Sequence, residues 1–269
     1  MKLPGQSRHA SKRLNDAIAA VRQGLGRDII FLSLEQQPDP QLRGTVRGYH
    51  ESSNGEERIW LDASLPYTAQ EATAAHELAH VMQRKEDYPQ VSSITGASGQ
   101  PLIPALEHLA ARANNLVMDE SADLWAISRG FNMGKVLSNI GLNQLIDRLK
   151  HKAVEAEAAD WDGYYAGLKK LAREVTGART GKSFKIGPEL DTQIMALDYA
   201  GLSMRLERYC LFDKMDFMWV EHWPLSRKMG KELAAIVKLN GVENRDKCRQ
   251  ALEKIVAFLR VPAPLIGVP

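Results

Sequence analysis

Apolar residues recur at Leu14, Ile18, Val21 and Leu25, the spacing that gives a helix one buried face, and Gly26 follows as a natural stop. The segment Ser11 to Leu25 therefore predicts a first helix. Three shorter runs come next, Asp28 to Leu34, Gly44 to His50 and Arg58 to Leu65, separated by Gln, Pro, Asp, Ser, Asn and Gly; they read as the strands of a small sheet. In the third run Ile59, Leu61, Ala63 and Leu65 alternate with Trp60, Asp62 and Ser64, which predicts one packed face and one less covered.

Thr68 and Glu71 have the T-x-x-E spacing of a capping box, which sets a helix start just before Glu71 and runs the helix to about Arg84. The stretch Glu86 to Pro104 is rich in Pro, Ser and Gly and reads as a long loop of the kind often found beside a site. Helical periodicity resumes over Ala105 to Arg129 and stops at Gly130. Beyond it Lys135 to Lys150, Ala153 to Val175, Asp191 to Glu207, Pro224 to Leu239 and Arg245 to Val261 all read as helices, with breaks at Gly181, Gly187 and Gly241. The tail from Val261 to Pro269 is Pro-rich and reads as extended, and no internal repeat stands out. The expected class is α+β: a few-stranded sheet with helices in residues 1–130, then a mostly α-helical region over 131–269.

Composition narrows the partners more than the fold. A chain of 269 residues with 44% hydrophobic and 25% charged residues has an ordinary globular make-up and enough length for a sizeable core. Lys plus Arg total 35 against 33 Asp plus Glu, so a net charge of +2 gives no electrostatic reason to expect nucleic acid or an anionic membrane as partner. Lys2, Arg8, Lys12 and Arg13 are not followed by an apolar run of secretory length, and nothing approaches the roughly 18 consecutive apolar residues of a membrane span. Cys210 and Cys248 are the only cysteines and form no CxxC pair, which favours buried thiols in a cytoplasmic protein over a disulfide framework. Any bound zinc would then be held by histidines and carboxylates.

The chemistry concentrates in His76-Glu77-Leu78-Ala79-His80, an HExxH pattern on the helix that follows the strands. Histidines at i and i+4 project from one face of a helix and can bind a single Zn²⁺ through their imidazoles, while Glu77 stands beside the metal as general base. Its carboxylate can take the proton of a water acidified by the metal and later deliver it to a leaving amine, the sequence of events in peptide hydrolysis. Ala74, Ala75, Leu78, Ala79 and Val81 surround the motif with the apolar lining a buried metal-bearing helix needs.

A catalytic zinc wants a third protein ligand and one open position. The acidic segment Asp119-Glu120-Ser121-Ala122-Asp123 on the next helix is the best source. Asp119 is assigned as third ligand and Glu120 is its rival, with Glu107 and His108 weaker. Asp123, one turn after Asp119, would accept the free ring N–H of a ligand histidine and fix its tautomer.

HELAH followed by an acidic helix resembles the zincin metallopeptidases, in particular the gluzincin-like branch in which a second helix supplies a carboxylate ligand and a supporting Asp or Asn four residues on. Residues 58–130 carry the resemblance. The D-x-x-A-D-x-W-A spacing from Asp119 to Ala126 is also similar to the ImmA/IrrE-type peptidases, whose corresponding helix reads E-x-E-A-N-x-F-A; Asp119 stands here for the leading Glu and Ser121 for the second. His80 is not followed by the Gly and third His of the metzincins. The resemblance implies a small zincin-like lobe over 1–130, a zinc metallopeptidase activity on a protein or peptide substrate, and a strand Arg58 to Leu65 that pairs with the extended substrate. The helical region 131–269 would complete the cleft or select the substrate.

Weaker signals surround this one. His222, between two tryptophans, is a possible donor to the oxyanion, and Tyr164, Tyr165, Tyr199 and Tyr209 are similar possibilities more simply read as core or surface aromatics. Gly177 to Ser183 resembles a phosphate-binding loop but is one residue short and lacks a preceding strand, so it reads as a basic loop. His9, His50, His108 and His151 show no ligand spacing and take structural roles by default. The competing expectation for the whole chain is a non-catalytic module that uses the same scaffold to bind a partner or regulate it.

Overall fold

A computed structural model describes residues 1–39, 46–53, 55–93, 104–139, 188–210, 216, 219–220, 223–261 and 266–268. The chain forms two compact units, residues 1–88 with 121–142 and residues 89–120 with 143–269.

The first unit begins with helix α1 (Lys12–Leu25), bounded as its sequence predicts. The Ser11 hydroxyl accepts from the Leu14 N–H, and Gly26 closes the helix at φ 65° with its N–H on the Arg22 carbonyl. Leu14, Ala17, Ile18 and Val21 are buried. Strands β1 (Ile29–Ser33), β2 (Gly48–Ser53) and β3 (Glu56–Leu61) form one sheet in the order β1-β3-β2. β1 runs parallel to β3, pairing Ile29 with Glu57 through Ser33 with Leu61; β2 runs antiparallel, pairing Gly48 with Leu61 through Ser53 with Glu56.

This order corrects two expectations. The third strand is central, with both edges occupied by β1 and β2, so its backbone is not free to pair with an extended substrate. The strand with no further strand neighbour among the described residues on that side is β2. The alternation in β3 also fails to leave one face open, since Ile59, Trp60 and Leu61 are all buried. The run ends at Leu61 because Asp62 turns the chain, accepting from the backbone and hydroxyl of Ser64.

Helix α2 (Tyr67–Lys85) lies against β2 and β3 and alongside α1. Its start is four residues before Glu71, and Thr68 does not cap it; Pro66 is the N-cap position and supplies no side-chain hydrogen bond. Proline suits the spot because its fixed φ, here −55°, leads directly into the first turn. Glu71 is instead used in tertiary contact, accepting from the Ser11 N–H at 2.6 Å and the Tyr67 hydroxyl at 2.7 Å. The helix is buried on most of its circumference, Ala69, Ala72, Ala74, Ala75, Leu78, Ala79 and Val81 included. The first unit closes with the end of helix α3 (Pro104–Ser128), terminated by Gly130 at φ 80°, and with α4 (Gly134–Asn139), which packs on α2.

In the second unit Asn114 of α3 clasps Val91, accepting from its N–H at 2.7 Å and donating to its carbonyl at 2.9 Å. A two-residue strand β4 (Ser92–Ser93) inside the expected loop pairs with β5 (Ile266–Gly267) in the expected extended tail. Helices α5 (Pro188–Arg208), α6 (Pro224–Asn240) and α7 (Arg245–Leu259) match three of the expected helices within a few residues. The α5–α6 contact is close because Gly230 has no side chain: a Cβ there would lie 2.6 Å from Tyr199 Cδ1 and 2.7 Å from the Ala196 carbonyl oxygen. Tyr199 is buried against Trp219, ring edge to face at 5.3 Å, and donates its hydroxyl to Asp216 at 3.0 Å. Both cysteines are free; Cys248 is buried as expected, whereas Cys210 is exposed just past the end of α5. The expected helix Ala153 to Val175, most of Lys135 to Lys150, and the Gly177 to Ser183 loop lie outside the described residues. No helix among the described residues is long and apolar enough to cross a membrane.

Candidate functional site

Helix α2 carries His76, Glu77 and His80, and helical spacing puts both imidazoles on one face. Each ring is held by an oxygen at its Nδ1. Asp123 Oδ1 on α3 lies 2.7 Å from His76 Nδ1, and Gln83 Oε1, one turn along α2, lies 2.8 Å from His80 Nδ1. A carboxylate and an amide oxygen only accept, so both Nδ1 atoms carry a proton, and the Nε2 of each ring presents a lone pair when that ring is neutral. Those two Nε2 atoms face each other across 2.9 Å, with the rings edge to face. At that distance the two nitrogens either share a proton or converge on a cation. As neutral imidazoles the pair could serve as ligands of a metal ion.

His76, His80 and Asp119 form a group that can hold a metal, one ligand atom of each lying within 4.8 Å of the others. Asp119 is one turn before Asp123 on the unbroken helix α3. Its carboxylate is 3.6 Å from Arg205, and Glu120 is bound by Arg208, both arginines being on α5. Both carboxylates thus lie beside a guanidinium, and of the two rivals it is Asp119 that belongs to the group with the histidines. Glu107 accepts from the Ser93 hydroxyl and His108 is exposed, so neither joins the group. His222, Tyr164, Tyr165 and His151 lie outside the described residues. Tyr199 is a core residue, and His9 is exposed near the N-terminus.

Glu77 is buried with its carboxylate turned toward β2. Burial by itself would raise its pKa; the contact with His50 and the charge that His76, His80 and His50 carry when protonated outweigh that and hold the carboxyl below its ordinary value. Three residues of this environment escaped the sequence reading. His50, assigned there a structural role, has Nδ1 3.7 Å from Glu77 Oε2 and stacks on His80 with centroids 5.9 Å apart and planes at 10°. Gly48, two residues earlier on the same face of β2, leaves the space that Glu77 fills: a Cβ on it would meet Glu77 Oε1 at 2.7 Å and the Thr73 methyl at 2.5 Å. Gln83 is the third. Signals existed, since a glycine inside a strand marks a close approach and Gln83 is i+3 from His80, but neither identifies its neighbour without the tertiary fold.

Chemically the cluster offers two imidazoles whose Nε2 atoms approach each other, an aspartate that could join them as a metal ligand, and a buried glutamate beside them. That combination suits proton transfer from a water activated by a metal. No family model, characterised protein or solved structure matches this chain.

Proposed function

We propose that this chain is a zinc-dependent metallopeptidase of the cytoplasm, with a zincin-like arrangement in which His76, His80 and Asp119 hold the metal and Glu77 is the general base. The observation that carries the reading is the approach of the His76 and His80 Nε2 atoms to 2.9 Å, each imidazole bonded through Nδ1 to an acceptor. Bound there, zinc would supply Lewis acidity, lowering the pKa of a coordinated water from about 16 to about 7 and polarising a carbonyl. The chain's own residues do the rest. Asp123 and Gln83 keep the two rings in one tautomer and one orientation, so no reorganisation is needed when the metal arrives. Glu77, held ionised, accepts the proton of the attacking water and returns it to the leaving nitrogen as the C–N bond breaks. A protein or peptide is the substrate this chemistry serves.

Elemental analysis of the purified chain tests the metal, and proteolysis of an unfolded protein such as casein tests the reaction. We expect about one zinc per chain, lost in His76→Ala and His80→Ala and retained in Glu77→Gln, with cleavage abolished in Glu77→Gln. A folded wild type that takes up no zinc overturns the reading, as does cleavage that survives Glu77→Gln. Stoichiometric zinc without cleavage of any substrate would make the scaffold a binding module instead.

A further inference from the structure

β2 sets two residues of one face, Gly48 and His50, against the two oxygens of Glu77. Gly48 lies under Oε1 and His50 Nδ1 stands 3.7 Å from Oε2. The His50 side chain is 14% exposed, and its Nε2 is buried with no hydrogen-bond partner among the described residues. A neutral imidazole carries one proton, and its place follows from these neighbours. Were the proton on Nε2, a buried donor would be stranded while the Nδ1 lone pair pointed at a carboxylate, two unfavourable contacts at once. With the proton on Nδ1, a dipole points at the carboxylate and only an acceptor is left unmatched. The 3.7 Å separation is long for a hydrogen bond, as contacts around a general base are before substrate binds.

We propose that His50 is a positioning residue for the base: its Nδ1–H is directed at Glu77 Oε2 and holds the carboxylate in one orientation over Gly48. The stack of His50 on His80 keeps the ring in that plane. The sheet thereby orients the base from one side while α2 carries it from the other. This rests on the reading of Glu77 as general base, although the contact itself does not depend on a bound metal.

The test is the tautomer of His50, read by nitrogen-15 NMR on the full chain labelled at histidine, well above the ordinary histidine pKa of about 6.5. His50→Asn assigns the resonances by their loss. We expect a protonated Nδ1 and a bare Nε2 in the wild type, with that preference lost in Glu77→Ala. A bare Nδ1 in the wild type, or a tautomer indifferent to Glu77→Ala, overturns the proposal. The catalytic arm uses casein: His50→Leu is expected to lower kcat about 10- to 100-fold with KM unchanged, and His50→Asn, which keeps an N–H donor near the same place, to recover most of it. Equal loss in both variants would also count against it. Metal content is measured on the same samples. Absence of zinc there removes the metallopeptidase reading and leaves the tautomer result to decide the role of His50 separately.

Discussion

Gly48 and Glu77 are in contact that only a glycine permits, since a Cβ at position 48 would lie 2.7 Å from Glu77 Oε1 and 3.0 Å from its Cγ. The glutamate of the HExxH motif thus owes its position to a residue on a different element, nearly thirty positions earlier. Gly48→Ala forces either the carboxylate or helix α2 to move. The Thr73 methyl, 2.5 Å from the same Cβ, is closer still, so moving the glutamate alone does not clear the space. We expect a stability loss of about 1–3 kcal/mol from overpacking, read by urea unfolding. Zinc content should be retained, because the added Cβ does not touch the bonds from Asp123 and Gln83 that hold the two rings, while casein cleavage should fall by about 100-fold, the cost of misplacing a reacting group by roughly 1 Å. Unchanged cleavage in Gly48→Ala would show that Glu77 does not need this placement.

Local chemistry made some of this legible and tertiary contact hid the rest. Helix α1 was readable in full because its cap, apolar period and terminal glycine all lie within the segment itself. The contact of Asp123 with a histidine of the motif was readable too, because two one-turn spacings on neighbouring helices leave few arrangements. The start of α2 was misread because Glu71 has a capping-box spacing but is drawn away by Ser11 and Tyr67, distant partners that sequence periodicity does not report. His50 was misread for a sharper reason. That His50 shares a face with Gly48 follows from the period of two, but a shift of one residue in register would turn both to the opposite side, and only the pairing of His50 with Ile59 settles that this face looks at α2. The central place of β3 likewise depends on strand order, which alternation in a single strand does not encode.

The acceptors on the two imidazoles make a graded prediction. Asp123 is 1% exposed and bonds His76 Nδ1 at 2.7 Å, while Gln83 bonds His80 Nδ1 at 2.8 Å. Neither touches the shared Nε2 side, so replacing them leaves the ligand atoms in place and removes only their orientation. We expect Asp123→Asn and Gln83→Ala each to weaken zinc affinity by about 10- to 100-fold, measured by competition with a chromophoric chelator, with His76→Ala and His80→Ala losing it altogether. The Asp123 variant should be the weaker of the two, because a carboxylate raises the basicity of its ring more than an amide does. Wild-type affinity in both would mean that the rings are oriented by other groups.

Gly230 carries a separate prediction, far in sequence from the histidines. Any Cβ there meets Tyr199 Cδ1 at 2.6 Å and the Ala196 carbonyl oxygen at 2.7 Å, one of them backbone and unable to step aside. On helix propensity alone Gly→Ala in mid-helix would stabilise by roughly 1 kcal/mol. We expect the steric term to win and Gly230→Ala to destabilise by about 1–3 kcal/mol in urea unfolding, with a smaller change in Gly201→Ala, where the nearest atom to the added Cβ is 3.8 Å away. A stabilised Gly230→Ala would mean that α5 and α6 part without cost.

Asp216 gives the second unit an acid sensitivity whose sign follows from its contacts. Arg227 donates to it twice, Nε to Oδ1 at 2.7 Å and Nη2 to Oδ2 at 2.5 Å, and the Tyr199 hydroxyl donates at 3.0 Å. The Arg227 hydrogen bonds are the largest influence on the carboxyl; burial opposes them, yet the net effect holds its pKa below the ordinary 3.8. The unfolded chain therefore takes up this proton before the folded one does. The contribution to stability is complete above pH 3.8 and drains away as the pH falls from there through the lower folded value. Asp216→Asn keeps an acceptor but no charge, so we expect it to be less stable than the wild type by about 1 kcal/mol at neutral pH, the difference between a charge-assisted and a neutral hydrogen bond. Urea unfolding over a pH series should show that gap closing below pH 3.8 and constant above it. A gap that persists undiminished into strong acid would place the source of the stability in packing around Asp216 rather than in its charge.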